Sequence, residues 1–169
     1  MRKIALLAVL ALVAVPAAFA TSPTDQASTL CKQQRTAIGA TAFKLLYGGG
    51  SNAYGRCVSK LASTVQGNTA NASKQCAAER ADAAFATAHG GKTFAQFYGT
   101  GKNGSNAFGK CVSSKAKALQ EQQQENTIGA AKTCKAERNS LGATAFTAKY
   151  GGKANAFGKC VAKAAKATP

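Results

Sequence analysis

Tryptophan is absent from this sequence, histidine and methionine each occur once, and only six of its 169 residues are acidic. Each scarcity narrows what the chain can do. One histidine, His89, leaves little room for a Ser-His or Cys-His nucleophile pair. In Ala-His-Gly-Gly it reads as a helix C-terminal residue meeting the last carbonyls rather than a proton shuttle. The carboxylates Asp25, Glu79, Asp82, Glu121, Glu125 and Glu137 form no recurring pair of the kind that flanks a glycosidic bond, and surface ion pairing is the expectation for them. Cysteine pairs at C-x2-C spacing are missing too, so no zinc or other metal site is expected, and no cofactor. Gly99-Thr-Gly-Lys-Asn-Gly-Ser105 lacks the Ser or Thr after Lys102 that a phosphate loop requires and reads as a plain loop. The sequence predicts a protein that is not an enzyme.

Long apolar runs are also scarce, with one exception at the start. Arg2 and Lys3 precede an apolar stretch from Ile4 to Val15, and Ala18-Phe19-Ala20 gives the small-x-small pattern of a cleavage site. Residues 1–20 therefore read as a signal peptide. The stretch is short for a helix crossing a hydrocarbon layer of about 30 Å. Removing residues 1–20 takes away two of the 22 basic residues and none of the six acidic ones, leaving a charge of +14. A field of that sign attracts polyanions at long range. For a secreted or cell-envelope protein these are acidic polysaccharide, anionic lipid headgroups or released nucleic acid.

What is abundant is repetition. Residues 31–58 and 134–161 are identical at 16 of 28 positions without a gap. A middle copy runs from Cys76 to Val112, with insertions before Phe94 and in its glycine-rich loop. The common frame is Cys-x3-Arg, Phe-x3-Tyr-Gly, then Asn-Ala-aromatic-Gly-basic-Cys-Val. Cys31, Ile38, Ala42, Leu45 and Leu46 recur at helical intervals. Phe43 and Tyr47 are four apart and meet on a helix surface. Gly48–Gly50 stop that helix, and Asn52, Asn106 and Asn155 stand as side-chain N-caps of the next. Gly55, Gly109 and Gly158 in the first turn of the second helix point to a close approach by a backbone or by the ring of Tyr47, Tyr98 or Tyr150.

The fold class expected is mainly α: three tandem helix-loop-helix modules, each with two cysteines and disulfide-stabilised. The division is signal peptide 1–20, leader 21–29, module one 30–66, linker 67–75, module two 76–120, linker 121–133, module three 134–166 and tail 167–169. The polar linkers read as solvated helix or flexible chain. Six cysteines in an exported chain predict three disulfides. The simplest scheme pairs Cys31 with Cys57, Cys76 with Cys111 and Cys134 with Cys160. In a straight helical hairpin, Cys31 and Cys57 stand roughly 15 Å apart along the axis, whereas a disulfide needs Cα atoms within about 7 Å. Within-module pairing thus demands a break in the first helix, for which Gly39 and Gly142 are the candidates; otherwise the cysteines pair between modules.

The candidate binding residues are basic. Arg56, Lys110 and Lys159 share one frame position, and Arg35, Arg80 and Arg138 another. Lys60 and Lys163 lie one turn beyond, and Lys115, Lys117 and Lys166 extend the set, which would form a stripe for an anionic polymer or simply solvated helix faces. Tyr54, Phe108 and Phe157 beside them read as core residues, because they recur in step with the cysteines. Two function classes follow. One is a non-enzymatic binding or structural protein held to anionic polymers; the other is a cationic membrane-active or antimicrobial factor.

Overall fold

A computed structural model describes residues 22–101, 103–151 and 155–167. The expected signal peptide and Lys102 lie outside the described residues. Eight helices and no strand occur among the described residues: α1 Pro23–Ile38, α2 Ala40–Leu46, α3 Ala53–Ala81, α4 Phe85–Ala88, α5 Phe94–Tyr98, α6 Ala107–Leu141, α7 Ala143–Lys149 and α8 Ala156–Lys166. All six cysteines are bridged within their own segments, Cys31–Cys57, Cys76–Cys111 and Cys134–Cys160, each with Cα atoms 6.0 Å apart.

The first helix starts where side-chain chemistry permits. The Ser22 hydroxyl accepts a bond from the Asp25 amide at 3.1 Å, and Pro23 takes the first helical turn. Ala27, Cys31, Gln34 and Ile38 form its buried stripe. The helix then breaks at Gly39, whose φ of 82° and ψ of 157° fall in a region essentially reserved for glycine. Gly142 repeats the device at φ 78° and ψ 159° between α6 and α7. These are the breaks that within-segment pairing required. α2 comes back so that the Tyr47 hydroxyl donates to Gln34 Oε1, one turn beyond Cys31. The Phe-x3-Tyr pairs all touch: ring centroids are 5.0 Å apart for Phe43–Tyr47, 5.0 Å for Phe94–Tyr98 and 4.8 Å for Phe146–Tyr150.

The middle segment breaks differently. α3 ends at Ala81, and the Asp82 carboxylate accepts from the Ala84 amide to hold the turn. After α4, Gly90 and Gly91 take positive φ, and Thr93 opens α5 with a reciprocal capping box to Gln96. Gly99 and Gly104 meet across the following loop; a Cβ at Gly99 would fall 2.6 Å from the Gly104 Cα.

Residues 67–75 and 121–133 are helical, carried inside α3 and α6. Thirty-five residues make α6 about 52 Å long. α3 and α6 run antiparallel: Cys76 is bridged to Cys111, while Asn68, two turns earlier, pairs with Gln123, three turns later. Their facing surfaces are not simply solvated. Val65, Asn68 and Ala72 are buried, and Asn68 and Gln123 exchange two amide hydrogen bonds. Gln124 donates to Leu30 O and Gln33 Oε1 and accepts from Gln34, so the glutamine run docks α1 on α6.

Packing is not three equal units. Cys31, Phe43, Tyr47, Cys57, Cys134, Phe146, Phe157, Cys160 and Val161 belong to one core, so the first and third segments share it. Cys76, Phe85, Phe94, Ala107 and Cys111 form a second, smaller cluster.

Candidate functional site

The repeated tyrosine and the residue three after the first cysteine are joined in every segment. Tyr47 donates to Gln34, Tyr98 to Glu79 at 2.9 Å and Tyr150 to Glu137 at 2.9 Å. Each bond closes the short helix back onto the helix carrying the first cysteine. In the first segment the pair is buried, and burial pushes the Tyr47 phenol up to about 12 despite the opposing bond to Gln34. In the other two a carboxylate takes the place of the amide and adds an ion pair. Lys115 Nζ stands 2.8 Å from Glu79 Oε1, and Lys149 Nζ stands 2.6 Å from Glu137 Oε1. Burial acts to raise Glu79, but bonds from Lys115 and Tyr98 outweigh it and hold the carboxyl below its ordinary value. Glu137 is lowered by the same kinds of partner, Lys149 first and then Tyr150. The recurrence of Glu79 and Glu137 in the frame marks an architectural pairing; the repeat shows the position but not the tyrosine as partner.

His89 caps α4. Its Nδ1 lies 2.8 Å from Phe85 O and its ring stacks on Phe85 at 3.9 Å, which agrees with the helix-end role expected for it. Phe157 is buried, and Tyr54 and Phe108 pack against the two cores.

Two expectations need correction. Asn52, Asn106 and Asn155 do occupy the N-cap positions, yet none of their side chains bonds the helix amides. Their backbone is close to φ −100° and ψ 10°, not extended, which turns the side chain elsewhere; Asn106 instead accepts from the Thr100 amide and donates to its hydroxyl. The close approach expected at the helix glycines fails at Gly55 and Gly109, where no tyrosine ring lies within 4 Å of an added Cβ. A Cβ at Gly55 or Gly158 would crowd the Asn three residues before it, and one at Gly109 would meet open space. At Gly158 a neighbouring backbone does come close, with Leu46 O 3.4 Å from such a Cβ.

No family model, no curated protein and no solved structure matches this chain.

The basic residues separate into engaged and open sets. Lys115 is paired with Glu79, Lys117 with Glu121 at 3.7 Å, and the Arg80 guanidinium lies 5.1 Å from the Phe108 ring centre. Arg56 and Lys159 occupy equivalent places: each reaches back over a glycine that ends the preceding short helix, Gly48 and Gly151, both at φ near +90°. A Cβ at Gly48 would stand 2.5 Å from the guanidinium, and one at Gly151 2.7 Å from the ammonium. Lys60 joins these two along one groove between α3 and α8. Arg35 lines a separate shallow groove with Lys32 and Tyr54. Lys110, Lys163 and Lys166 are exposed, and Arg138 is half-buried. The structure thus gathers Arg56, Lys60 and Lys159, from the first and third segments, and leaves the others apart.

Proposed function

We propose that the mature chain is an exported, non-enzymatic binding or structural protein that associates with anionic polymers of the cell envelope or its surroundings. The observation that carries this is the excess of unpaired cations on a covalently fixed frame. Of the 18 lysines and arginines among the described residues, only Lys115, Lys117 and Lys149 stand in ion pairs. Three disulfides fit an oxidising, extracytoplasmic setting, and none of the described helices is long and apolar enough to cross a membrane. The bridged cysteines offer no thiolate for catalysis or metal binding.

The membrane-active alternative has less support. α8 carries Lys159, Lys163 and Lys166, but its apolar residues Phe157, Cys160 and Val161 are buried in the shared core and stapled to α6. Inserting them into lipid would mean opening that core.

The test is binding of the mature, oxidised protein to dextran sulfate across a salt series, with dye release from anionic vesicles alongside. Affinity should fall steeply and log-linearly with salt, without leakage. Salt-independent binding overturns the electrostatic account, and leakage at low protein concentration favours the membrane-active one.

A further inference from the structure

The groove lined by Arg56, Lys60 and Lys159 does not end at the surface. It has a volume of about 400 Å3 and shares Leu46, Tyr47, Lys60, Gly158 and Ala162 with a second cavity of about 320 Å3 deeper between α1, α3, α6 and α8. One wall of the inner cavity is apolar, formed by Leu30, Leu46, Leu61, Val65, Val161 and Ala165. No carboxylate lines either space. Gly158 stands where the two meet, with α8 drawn close to the Leu46 carbonyl. The result is one slot with a cationic mouth and an inner end that is apolar on one wall and lined by amides and hydroxyls, Gln123 and Thr127 among them, on the other. Along α3 it extends from Arg56 to Val65, about 14 Å at the helical rise.

We propose that this slot binds a single-chain amphiphile with an anionic head group, of the fatty-acid class. Charge complementarity selects the head: three basic residues from two helices line the mouth and no carboxylate does, so the local field favours an anion there. The wall selects the tail, since a chain laid against Leu61, Val65 and Val161 removes from water both its own methylenes and theirs. A small inorganic anion would leave the inner wall wet, and a polysaccharide would not enter it. The volumes fall in the lower part of the range of about 300–1,000 Å3 usual for small-molecule sites. The slot does not rest on the polymer reading, although its three cations are exposed and belong to the same unpaired set.

Dodecanoate is the probe, titrated calorimetrically below its micellar concentration into the mature protein with all three disulfides intact. The expected result is saturable binding of one dodecanoate per chain, with octanoate at least tenfold weaker because each methylene contributes a factor of about four. Ala162→Trp, at the junction of the two cavities, should weaken dodecanoate at least tenfold while leaving dextran sulfate affinity unchanged, so that a failed slot and a failed polymer reading are told apart. Should that variant not fold, Lys60→Gln/Lys159→Gln alters only exposed side chains. With Arg56 still at the mouth, it should weaken dodecanoate about tenfold toward the affinity of the uncharged dodecanol and leave dodecanol binding as it was. Non-saturable uptake, affinity independent of chain length, or dodecanoate binding untouched by the folded variants would overturn the proposal.

Discussion

The first and third segments and the middle one start from the same frame and reach different packing. Segments one and three break after the first cysteine at a glycine, Gly39 or Gly142, and send a seven-residue helix back across it. Their aromatic pairs then meet in a single core with Ala130 and Ala131 of α6 between the two bridges' helices. The middle segment turns at Asp82 and inserts α4 and the Gly90–Gly91 turn. Its Phe85, Phe94 and Tyr98 close over Cys76–Cys111 alone, with Phe97 left 45% exposed. A frame of cysteines and aromatics therefore fixes how each segment closes on itself, and the residues between them decide whether it gains a partner.

That contrast can be broken most directly in the cores. Phe146→Ala in the shared core should destabilise the whole chain by about 3–5 kcal/mol, seen as lost amide protection in α1, α3 and α8 together. Phe94→Ala should loosen α4 and α5 and leave protection in α1 and α8 intact; loss throughout would show that the two cores unfold as one. Removing the Cys76–Cys111 bridge by a double alanine substitution should cost about 3–4 kcal/mol in the chain-entropy account, again confined to the middle segment by hydrogen exchange. Gly39→Ala meets no atom within 4 Å, so its cost is backbone strain alone, about 1–3 kcal/mol. A neutral result in denaturant melts would mean that the break tolerates a side chain.

The tyrosine bonds sharpen the comparison at smaller scale. Tyr47→Phe strips a donor from Gln34, which is 1% exposed, and should cost about 1–3 kcal/mol. Tyr150→Phe leaves a carboxylate still paired with Lys149 and should cost less than half as much. Equal losses would overturn the role assigned to burial. Tyr47 also gives an alkaline signature. Its folded pKa is raised, so the stability it lends is whole below pH 10 and lost as pH rises through about 12, and Tyr47→Phe should flatten that limb. At the acid end the smallest effect belongs to Glu79. Its folded pKa is lowered, so its contribution is present above the ordinary value of 4.5 and lost as pH falls through the folded one. Since the pair is partly exposed, Glu79→Gln should remove less than about 1 kcal/mol of acid sensitivity.

Helical class, bridge pattern and the glycine breaks were legible because each rests on local spacing and on the reach of a disulfide. The Gln120–Gln124 stretch was not, since an amide-rich helix facing water and one whose amides pair across an interface have the same composition. Asn68 opposite Gln123 depends on the register of two long helices, which no window of sequence contains. The union of segments one and three was hidden for the same reason: the repeat shows which surfaces are alike, not which of them meet. Among the basic residues, frame position grouped Arg56 with Lys159, which each reach over a glycine, but their sharing of a groove with Lys60 follows from α8 packing against α2 and α6.

The order of the three bridges has a consequence for biogenesis. Each links a cysteine to the next one along the chain, first to second, third to fourth and fifth to sixth, and no loop encloses or crosses another. A polypeptide emerging N-terminus first can therefore oxidise each pair as soon as it appears, and neighbour-to-neighbour pairing is already the native set, with nothing to be reshuffled afterwards.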